Sequence, residues 1–225
     1  MKILALETAT DPGSVALWVD GVVHGAACPE GASNSATLLP VADALLRSQG
    51  FGFADLDGVA FGAGPGSFTG LRVACGVAQG LAVARGLPLL GVGTLEAMAE
   101  AAGGERVMVA LDARMGEVYF GVFERGAQQG GLGVFAPHAV PLPETRGWLA
   151  CGNGLAAYPA LRDRLSACVD VWAPAVMPSA EAIVRLAASR LARGETGDPA
   201  DAVPLYVRDK VAKTVAERLA EGGRA

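Results

Sequence analysis

The chain has 225 residues, which suits one ordinary domain or two small ones. Hydrophobic residues make up 52% and charged residues 18%, a balance that excludes a disordered chain; with only 6% aromatics, we expect a core of Ala, Val and Leu. The formal net charge is −5 and no basic stripe is visible, so we expect no direct binding of nucleic acid and leave open binding through a basic partner.

The cysteines and the first residues indicate a cellular compartment. The four cysteines are scattered without a Cys-x-x-Cys pair, which excludes common zinc and thioredoxin patterns: Cys28, Cys75, Cys151 and Cys168. Glu7 interrupts the opening apolar run, so we expect no signal peptide. The apolar stretch 70–95 contains Arg, Gln, Gly and Pro and does not predict a membrane span. We therefore expect a cytoplasmic protein with reduced thiols.

The first hundred residues predict the order βββαβαβα. The expected elements are strands at 3–6, 14–19 and 22–28, a helix at 34–49, a strand at 58–61, a Gly-rich loop at 62–70, a helix at 71–85, a strand at 87–92 and a helix at 94–102. Asp20-Gly21 is a hairpin turn, and Thr94 is the expected cap of the third helix. An antiparallel meander followed by crossovers predicts a mixed sheet covered by helices.

The second half repeats the opening pattern. An apolar run ends in Asp112, as the first run ends in Glu7, and a polar turn follows each. The further elements are strands at 106–111 and 117–123, a Gly-containing turn at 126–131 with an apolar run to 136, a strand at 148–151, a helix near 155–165 and a helix at 180–193 capped by Ser179. We predict two related α/β subdomains of βββαβα type, 1–103 and a smaller 104–225, and leave open that the tail packs back on the first.

A Gly-rich segment before the second helix is the sharpest local motif. It reads Gly64-Pro65-Gly66-Ser67-Phe68-Thr69-Gly70-Leu71-Arg72 and lacks the Walker A pattern. One interpretation is a nucleotide or anion loop at a helix N-terminus; the other, which we favour, is a turn with Ser67 or Thr69 as helix cap. The candidate residues for nucleotide or anion loops are Glu7, Thr8, Thr10, Gly64, Gly66, Ser67, Thr69 and Asp112.

Glu7 and Asp112 flank a cleft between the subdomains if the duplication is real. An acid there can bind a metal-bound phosphate or act as a base. The alternative, which we favour, is a solvated turn acid or a cap for the nearby threonines Thr8 or Thr10. Since nothing in the sequence places a partner beside either acid, we assign no catalytic residue.

Two helices predict an association surface. In the helix 71–85, Gly76, Gly80 and Ala84 recur on one face, and such glycines favour either close packing on the chain's own sheet or contact with another subunit. The helix 34–49 carries an apolar band wider than one core face needs. We predict an interface formed by Leu38, Leu39, Ala42, Leu45, Leu46, Arg72, Val73, Gly76, Val77, Gly80 and Ala84.

Histidine is nearly absent from the chain. His24 lies in a predicted strand and His138 in a Pro-flanked loop, so two histidines from one helix cannot bind a metal. No nucleophile elbow accompanies either of them, so we expect no Ser-His-Asp triad. The sequence therefore predicts no metal site.

Four segments resemble the bacterial TsaB family, also called YeaZ. They are the opening Ile3-Leu4-Ala5-Leu6-Glu7-Thr8-Ala9-Thr10, the motif Gly64 to Arg72, the segment Gly91-Val92-Gly93-Thr94-Leu95 and the turn Asp112-Ala113-Arg114-Met115-Gly116-Glu117-Val118-Tyr119. The tail Pro204-Leu205-Tyr206-Val207-Arg208 is similar to that family's P-x-Y-x-R. The similarity extends over nearly the whole chain. Glu7 stands where the family usually has Asp, and Asn34 where many relatives have His.

The resemblance implies an actin-like ATPase fold of the sugar kinase and Hsp70 superfamily. It also implies a role in making N6-threonylcarbamoyladenosine at position 37 of tRNA, as a non-catalytic subunit. The implied partners are a second copy of the chain, the catalytic paralogue TsaD and, in a ternary complex, TsaE. TsaD carries a histidine-rich metal motif on its first helix, whereas residues 34–40 contain no histidine. No cofactor is required, and a weakly bound or interface-bound ATP or ADP is left open.

Two other function classes compete with a scaffold. One is an active enzyme of the same superfamily, either a small-molecule kinase or the transferase itself. The length argues against a kinase, because two full nucleotide-handling domains generally need a longer chain. The other is a protease, which the missing metal histidines and triad disfavour.

Overall fold

The computed structural model describes residues 1–208 as two five-stranded sheets with helices on their faces. The strands in this range are β1 (Lys2–Glu7), β2 (Ser14–Val19), β3 (Val22–Ala27), β4 (Gly58–Gly64), β5 (Leu89–Gly93), β6 (Arg106–Asp112), β7 (Val118–Glu124), β8 (Ala127–Phe135), β9 (Trp148–Cys151) and β10 (Val169–Ala173). The α-helices are α1 (Asn34–Ser48), α2 (Phe68–Arg85), α3 (Thr94–Ala102), α4 (Gly154–Ala157), α5 (Pro159–Leu165) and α6 (Ala180–Ala192). None of them is both long and apolar enough to cross a lipid bilayer.

The first lobe is built on a sheet ordered β3-β2-β1-β4-β5. Strands β1, β2 and β3 form the predicted antiparallel meander, while β4 and β5 run parallel to β1. The β2–β3 hairpin turns at Asp20 and Gly21, whose φ angles of 48° and 101° suit an Asp-Gly turn. The predicted order βββαβαβα is confirmed.

The second lobe repeats this topology in a sheet ordered β10-β9-β6-β7-β8. Strands β6, β7 and β8 form a second antiparallel meander, and β9 and β10 lie parallel to β6. The chain passes from β8 to β9 through a short 3-10 turn where the first lobe has α1. The predicted mixed α/β fold of actin-like type, with two related sheets, is confirmed, while the division at residue 103 stays a prediction.

Alternating residues of β1 face two different helix layers. Leu4 and Leu6 pack in the cluster that contains α1 and α2, whereas Ile3 and Ala5 pack in the cluster that contains α6. The alternation follows from the two-residue period of a strand. Helix α6 comes late in the sequence, yet it covers the back of the first sheet.

Helix α3 joins the two lobes through apolar contacts. Leu95 and Met98 on α3 pack in one buried cluster with Val107, Val109 and Leu111 of β6. Another α3 residue, Ala97, lies in the cluster with β1 and α6. Helix α3 therefore contributes side chains to the hydrophobic cores of both lobes.

Several predicted boundaries need correction at the start of helices. Strand β4 extends to Gly64 and α2 begins at Phe68, so the Gly-rich loop is much shorter than 62–70. Thr94 is the first residue of α3 rather than its cap, and its buried Oγ1 has no hydrogen-bond partner within residues 1–208. The predicted cap of α6 is confirmed, because Ser179 Oγ accepts a hydrogen bond from the Ala182 N–H at 3.3 Å.

The second lobe also differs from the prediction. The helix predicted near 155–165 is two helices, because Tyr158 has extended dihedral angles before Pro159. A residue that precedes proline disfavours the helical region, so the break has a local cause. Strand β10 was not predicted, although Val169 and Val171 alternate with polar or aromatic neighbours.

Candidate functional site

A cleft of about 290 Å³ lies between the turn after β1 and the turn after β6. These turns hold equivalent positions in the two sheets. The cleft is lined by Thr10, Asp11, Gly66 and Ser67 from the first lobe and by Asp112, Arg114 and Asn153 from the second. Of the candidate nucleotide or anion residues, Thr10, Gly66, Ser67 and Asp112 thus reach one cavity, while Glu7 and Thr8 are buried behind it.

Glu7 is enclosed at the end of β1, with 1% of its surface exposed. Its Oε1 accepts a hydrogen bond from the Ala9 N–H, and its Oε2 has no partner among the described residues. Burial raises the pKa of Glu7 from 4.5 to about 7, against the opposing effect of the Ala9 and Thr8 N–H groups. The expectation of a solvated acid at this turn is wrong, because Gly62 of β4 packs directly over the carboxyl group.

Asp112 occupies the equivalent position in a more polar environment, with its side chain 14% exposed. Its Oδ1 accepts hydrogen bonds from the Tyr158 hydroxyl at 2.7 Å and from the Arg114 N–H at 2.8 Å. Its Oδ2 lies 3.5 Å from Arg114 Nη1. The Asp112 N–H donates to Asn153 Oδ1 at 2.9 Å. The carboxylate therefore organises the turn and the adjoining cleft wall.

The Gly-rich segment Gly64 to Arg72, which leads into α2, packs on the turn after β1. The Ser67 N–H donates to the Ala9 carbonyl at 2.8 Å, and Thr8 Oγ1 donates to the Gly70 carbonyl at 2.6 Å. A Cβ at Gly66 would overlap Ala9, and one at Gly70 would overlap the Thr8 carbonyl oxygen. The start of α2 can therefore approach the turn after β1 this closely only because glycine stands at both positions. Ser67 Oγ accepts from the Gly70 N–H at 3.3 Å, which confirms the predicted cap.

The remaining candidates of this segment lie apart from the cleft. Gly64 ends β4 with a φ of 112° and faces the carbonyl of Leu205. Thr69 is exposed and lines a second cavity of about 460 Å³ between the N-termini of α1 and α2. Asn34 borders this cavity, and its Nδ2 donates to Asp11 Oδ1 at 2.7 Å. Asn34 therefore ties α1 to the first turn.

The small-residue stripe of α2 faces outward. Gly76, Gly80 and Ala84 are exposed, and a Cβ at either glycine would meet no atom within 4 Å. The face of α2 that packs on the sheet consists of Leu71, Ala74, Cys75, Ala78 and Ala82. Packing of the stripe on the chain's own sheet, one of the two alternatives, is therefore wrong. The neighbouring interface candidates on α2 are exposed Arg72 and the half-buried Val73 and Val77.

Four of the five interface residues predicted on α1 belong to the core instead. Leu38, Ala42 and Leu46 are fully buried, and Leu45 is 8% exposed. They pack with the first sheet and α2, which explains why the apolar band is broad. Of the five interface residues predicted on α1, Leu39 alone is exposed, at 43%, and can contact a partner.

The sequence analysis missed the side chains that surround Asp112. Arg114 lies in the quoted motif of residues 112–119, so a signal for it was present. Asn153 and Tyr158 lie in a stretch without a distinctive pattern, and only the fold brings them to the acid.

Comparisons with known proteins give matches that include residues of both lobes. Residues 24–134 match the family model described as TsaD, tRNA N6-adenosine threonylcarbamoyltransferase. The Escherichia coli K12 tRNA threonylcarbamoyladenosine biosynthesis protein TsaB is 38% identical, over 94% of this chain and 96% of that protein. The Haemophilus influenzae protein of the same description is 32% identical, over 94% and 95%. The structure of YeaZ from Pseudomonas aeruginosa has a TM-score of 0.82 at 36% identity, covering 91% of this chain and 99% of that one.

These similarities extend beyond the motifs. An alignment over 94% of the chain includes both sheets, and the solved structure shares the arrangement of the lobes. From its fold and from identity over its whole length, the chain belongs to the TsaB (YeaZ) family, whose members take part in tRNA threonylcarbamoyladenosine biosynthesis.

Proposed function

We propose that this chain is a non-catalytic subunit that binds and supports a TsaD-type threonylcarbamoyltransferase. The partner transfers the threonylcarbamoyl group to N6 of the adenosine at position 37 of tRNA. TsaE joins the assembly, and this chain meets tRNA only through its partners. The chain also forms a homodimer, and it needs no cofactor of its own.

The outward stripe of α2 is the observation that carries the proposal. A glycine inside a helix costs about 1 kcal/mol relative to alanine. Nothing within the described chain offsets this cost, because Gly76 and Gly80 both face open space. The absence of side chains there lets a second backbone approach α2 closely. Nearby Val83 is 66% exposed and adds apolar surface of the kind found at interface centres.

We define the association face as Leu39, Arg72, Val73, Gly76, Val77, Gly80 and Ala84. The buried residues of α1 support this face from beneath without contacting the partner. Because self-pairing and pairing with TsaD use the same face in this proposal, the homodimer and the heterodimer compete.

The chemistry is assigned to the partner for two reasons. Helix α1 contains no histidine where the TsaD-type first helix carries its metal motif. In the cleft, Glu7 is enclosed and Asp112 is engaged by Tyr158 and Arg114. Glu7 is out of reach of a substrate in the cleft, and Asp112 is already hydrogen-bonded, whereas general acid–base catalysis requires a group within reach of the substrate.

Gly80→Leu tests the association face. A leucine side chain at the centre of an interface holds the two helices apart, whereas a Cβ at Gly80 has no atom of this chain within 4 Å. We expect the affinity for TsaD to fall about 30-fold or more, which corresponds to at least about 2 kcal/mol. Sedimentation velocity of the mixed proteins measures the loss, and thermal melting shows that the variant is folded.

Gly131→Leu is the matched control, because Gly131 is also exposed and a Cβ there also meets no atom. It lies on β8 of the second lobe and should leave association unchanged. Unchanged association of Gly80→Leu with a lowered melting temperature would contradict the proposed face. Transfer of threonylcarbamoyl to tRNA by the isolated chain would contradict the non-catalytic role.

A further inference from the structure

The segment after α6, residues 197–208, runs along the first lobe and is called the strap here. Gln79 of α2 donates to the Pro199 carbonyl at 2.7 Å. The Leu205 N–H donates to the Ala63 carbonyl on β4 at 2.6 Å. These contacts attach the strap to both the helix and the sheet of the first lobe.

An aromatic contact adds a third attachment at the start of α2. Arg72 Nε donates to the Tyr206 hydroxyl at 2.9 Å. The Arg72 guanidinium lies 4.0 Å from the centre of the Phe68 ring, and the Phe68 and Tyr206 rings are 5.6 Å apart. The strap is thereby held in one place before it reaches the second lobe.

Arg208 then crosses to the turn after β6. Its Nη2 donates to the Ala113 carbonyl at 3.0 Å and to Glu117 Oε2 at 2.7 Å, and its side chain is only 16% exposed. Arg114 and Met115 in this turn have φ angles of 60° and 57°, a conformation that L-residues seldom adopt. The Arg208 guanidinium therefore holds the turn after β6 in the second lobe by two hydrogen bonds.

The two lobes are therefore joined in two physically different ways. Helix α3 contributes close-packed apolar side chains to cores on both sides, a contact that does not adjust easily. The strap contributes charge-assisted hydrogen bonds from one side chain, beside the cleft. A small cavity of about 190 Å³ there is lined by Ser67 and Arg114, which also line the cleft, and by Tyr206 and Arg208.

We propose that the strap is a clamp, in which Arg208 holds the turn after β6 against the first lobe and so sets the opening of the interlobe cleft. Releasing Arg208 lets the lobes rotate about α3. The proposal goes beyond association with a partner, because it concerns motion within a single chain. A test of the clamp therefore does not depend on whether the association face is correct.

Glu117→Ala tests the clamp from the side of the second lobe. Glu117 is 42% exposed, so the variant removes the charged partner of Arg208 without opening a core, and leaves only uncharged acceptors such as the Ala113 carbonyl. Spin labels at Ala27→Cys on β3 and Gln128→Cys on β8 report the distance between the lobes, since both positions are exposed. The native cysteines are buried, so the unmodified chain serves as the labelling blank. Dilution with unlabelled chain removes distances between subunits.

We expect Glu117→Ala to give a longer mean distance between the labels and a broader distribution. Exchange of the Ala113 amide, which donates to the Glu117 carbonyl within the gripped turn, should become about fivefold faster. Arg208→Lys keeps the charge but loses the planar fork, so it should fall between the parent and Glu117→Ala.

Glu124→Ala is the matched control. Glu124 pairs with Arg106 at 2.8 Å with a similar exposure of 39%, but this ion pair lies within the second lobe. It should leave the distance distribution and the Ala113 exchange as in the parent. Equal changes in Glu117→Ala and Glu124→Ala, or no change in either, would overturn the clamp.

Discussion

Glu7 and Asp112 end the first strand of each sheet, yet they meet different surroundings. Glu7 is 1% exposed, and one of its oxygens lacks a partner among residues 1–208. Asp112 accepts hydrogen bonds from Tyr158 and the Arg114 N–H and pairs with the Arg114 guanidinium. Equivalent topology thus sets where an acid lies, while its local neighbours decide whether the acid is enclosed or hydrogen-bonded.

The difference arises where the fourth strand of each sheet meets the following helix. In the first lobe, Gly70 near the start of α2 presses on the Thr8 carbonyl, and the closed turn excludes water from Glu7. In the second lobe, a Cβ at Gly154 of α4 would lie 2.9 Å from the Ala110 carbonyl oxygen, and one at Gly152 before α4 would lie even closer to the same atom. The residues on either side of α4, Asn153 and Tyr158, supply polar groups that contact Asp112.

Replacing Gly70 and Gly154 by alanine should give the largest difference in stability between the two turns. Gly70→Ala places a methyl group on the Thr8 carbonyl oxygen, a rigid backbone atom. We expect it to lower the free energy of unfolding by about 3 kcal/mol or more, and Gly154→Ala to lower it by about 1–3 kcal/mol. Urea denaturation measures both. Equal losses would show that the two turns are equally tight.

Glu7→Gln tests the electrostatic side of the difference. The folded chain holds the Glu7 proton up to about pH 7, whereas the unfolded chain releases it near 4.5. The parent's stability therefore falls as pH rises from 4.5 through 7 and then stays level. Above pH 7 the variant should be more stable by up to about 3 kcal/mol. Melting temperatures from pH 4 to 9 measure this, and parallel curves for parent and variant would contradict it.

Tyr158→Phe tests the polar surroundings of Asp112. The variant removes the hydroxyl that donates to Asp112 Oδ1 at 2.7 Å. Because this hydrogen bond is charge-assisted but partly solvated, we expect a loss of about 1 kcal/mol in unfolding free energy. Tyr119→Phe is the control, since Tyr119 also lines the cleft but its hydroxyl makes no hydrogen bond within residues 1–208. An equal loss in both variants would count against a specific role of the Asp112 contact.

The smallest effect is expected from Gly80→Ala, the same substitution as Gly70→Ala in the same helix. Gly80 faces open space, so the methyl group meets no atom of the chain. We expect the monomer to gain about 0.5–1 kcal/mol of stability, because alanine favours the helix. Calorimetry at a concentration where the chain is monomeric gives the sign. A loss of stability would mean that this face packs on the chain itself.

Much of the fold was accessible from local patterns. The period-two runs and the Asp20-Gly21 turn predicted the first meander, and the strands 14–19 and 148–151 have the predicted bounds. The break at Pro159 was also encoded locally but was overlooked within an apolar stretch. The cap at Ser67 follows from one residue type at a helix start, which is why it could be predicted.

The sequence by itself determined the element order of the first hundred residues, the duplication of the strand–acid–turn unit and the family, because these depend on neighbours along the chain. Only the tertiary structure decided that the α1 band is buried and that the α2 stripe faces outward. It also decided that Glu7 is enclosed while Asp112 is hydrogen-bonded, and that Arg208 reaches a turn of the other lobe. Exposure and ionisation depend on groups far away in sequence, whose approach is set by packing between helices and sheets.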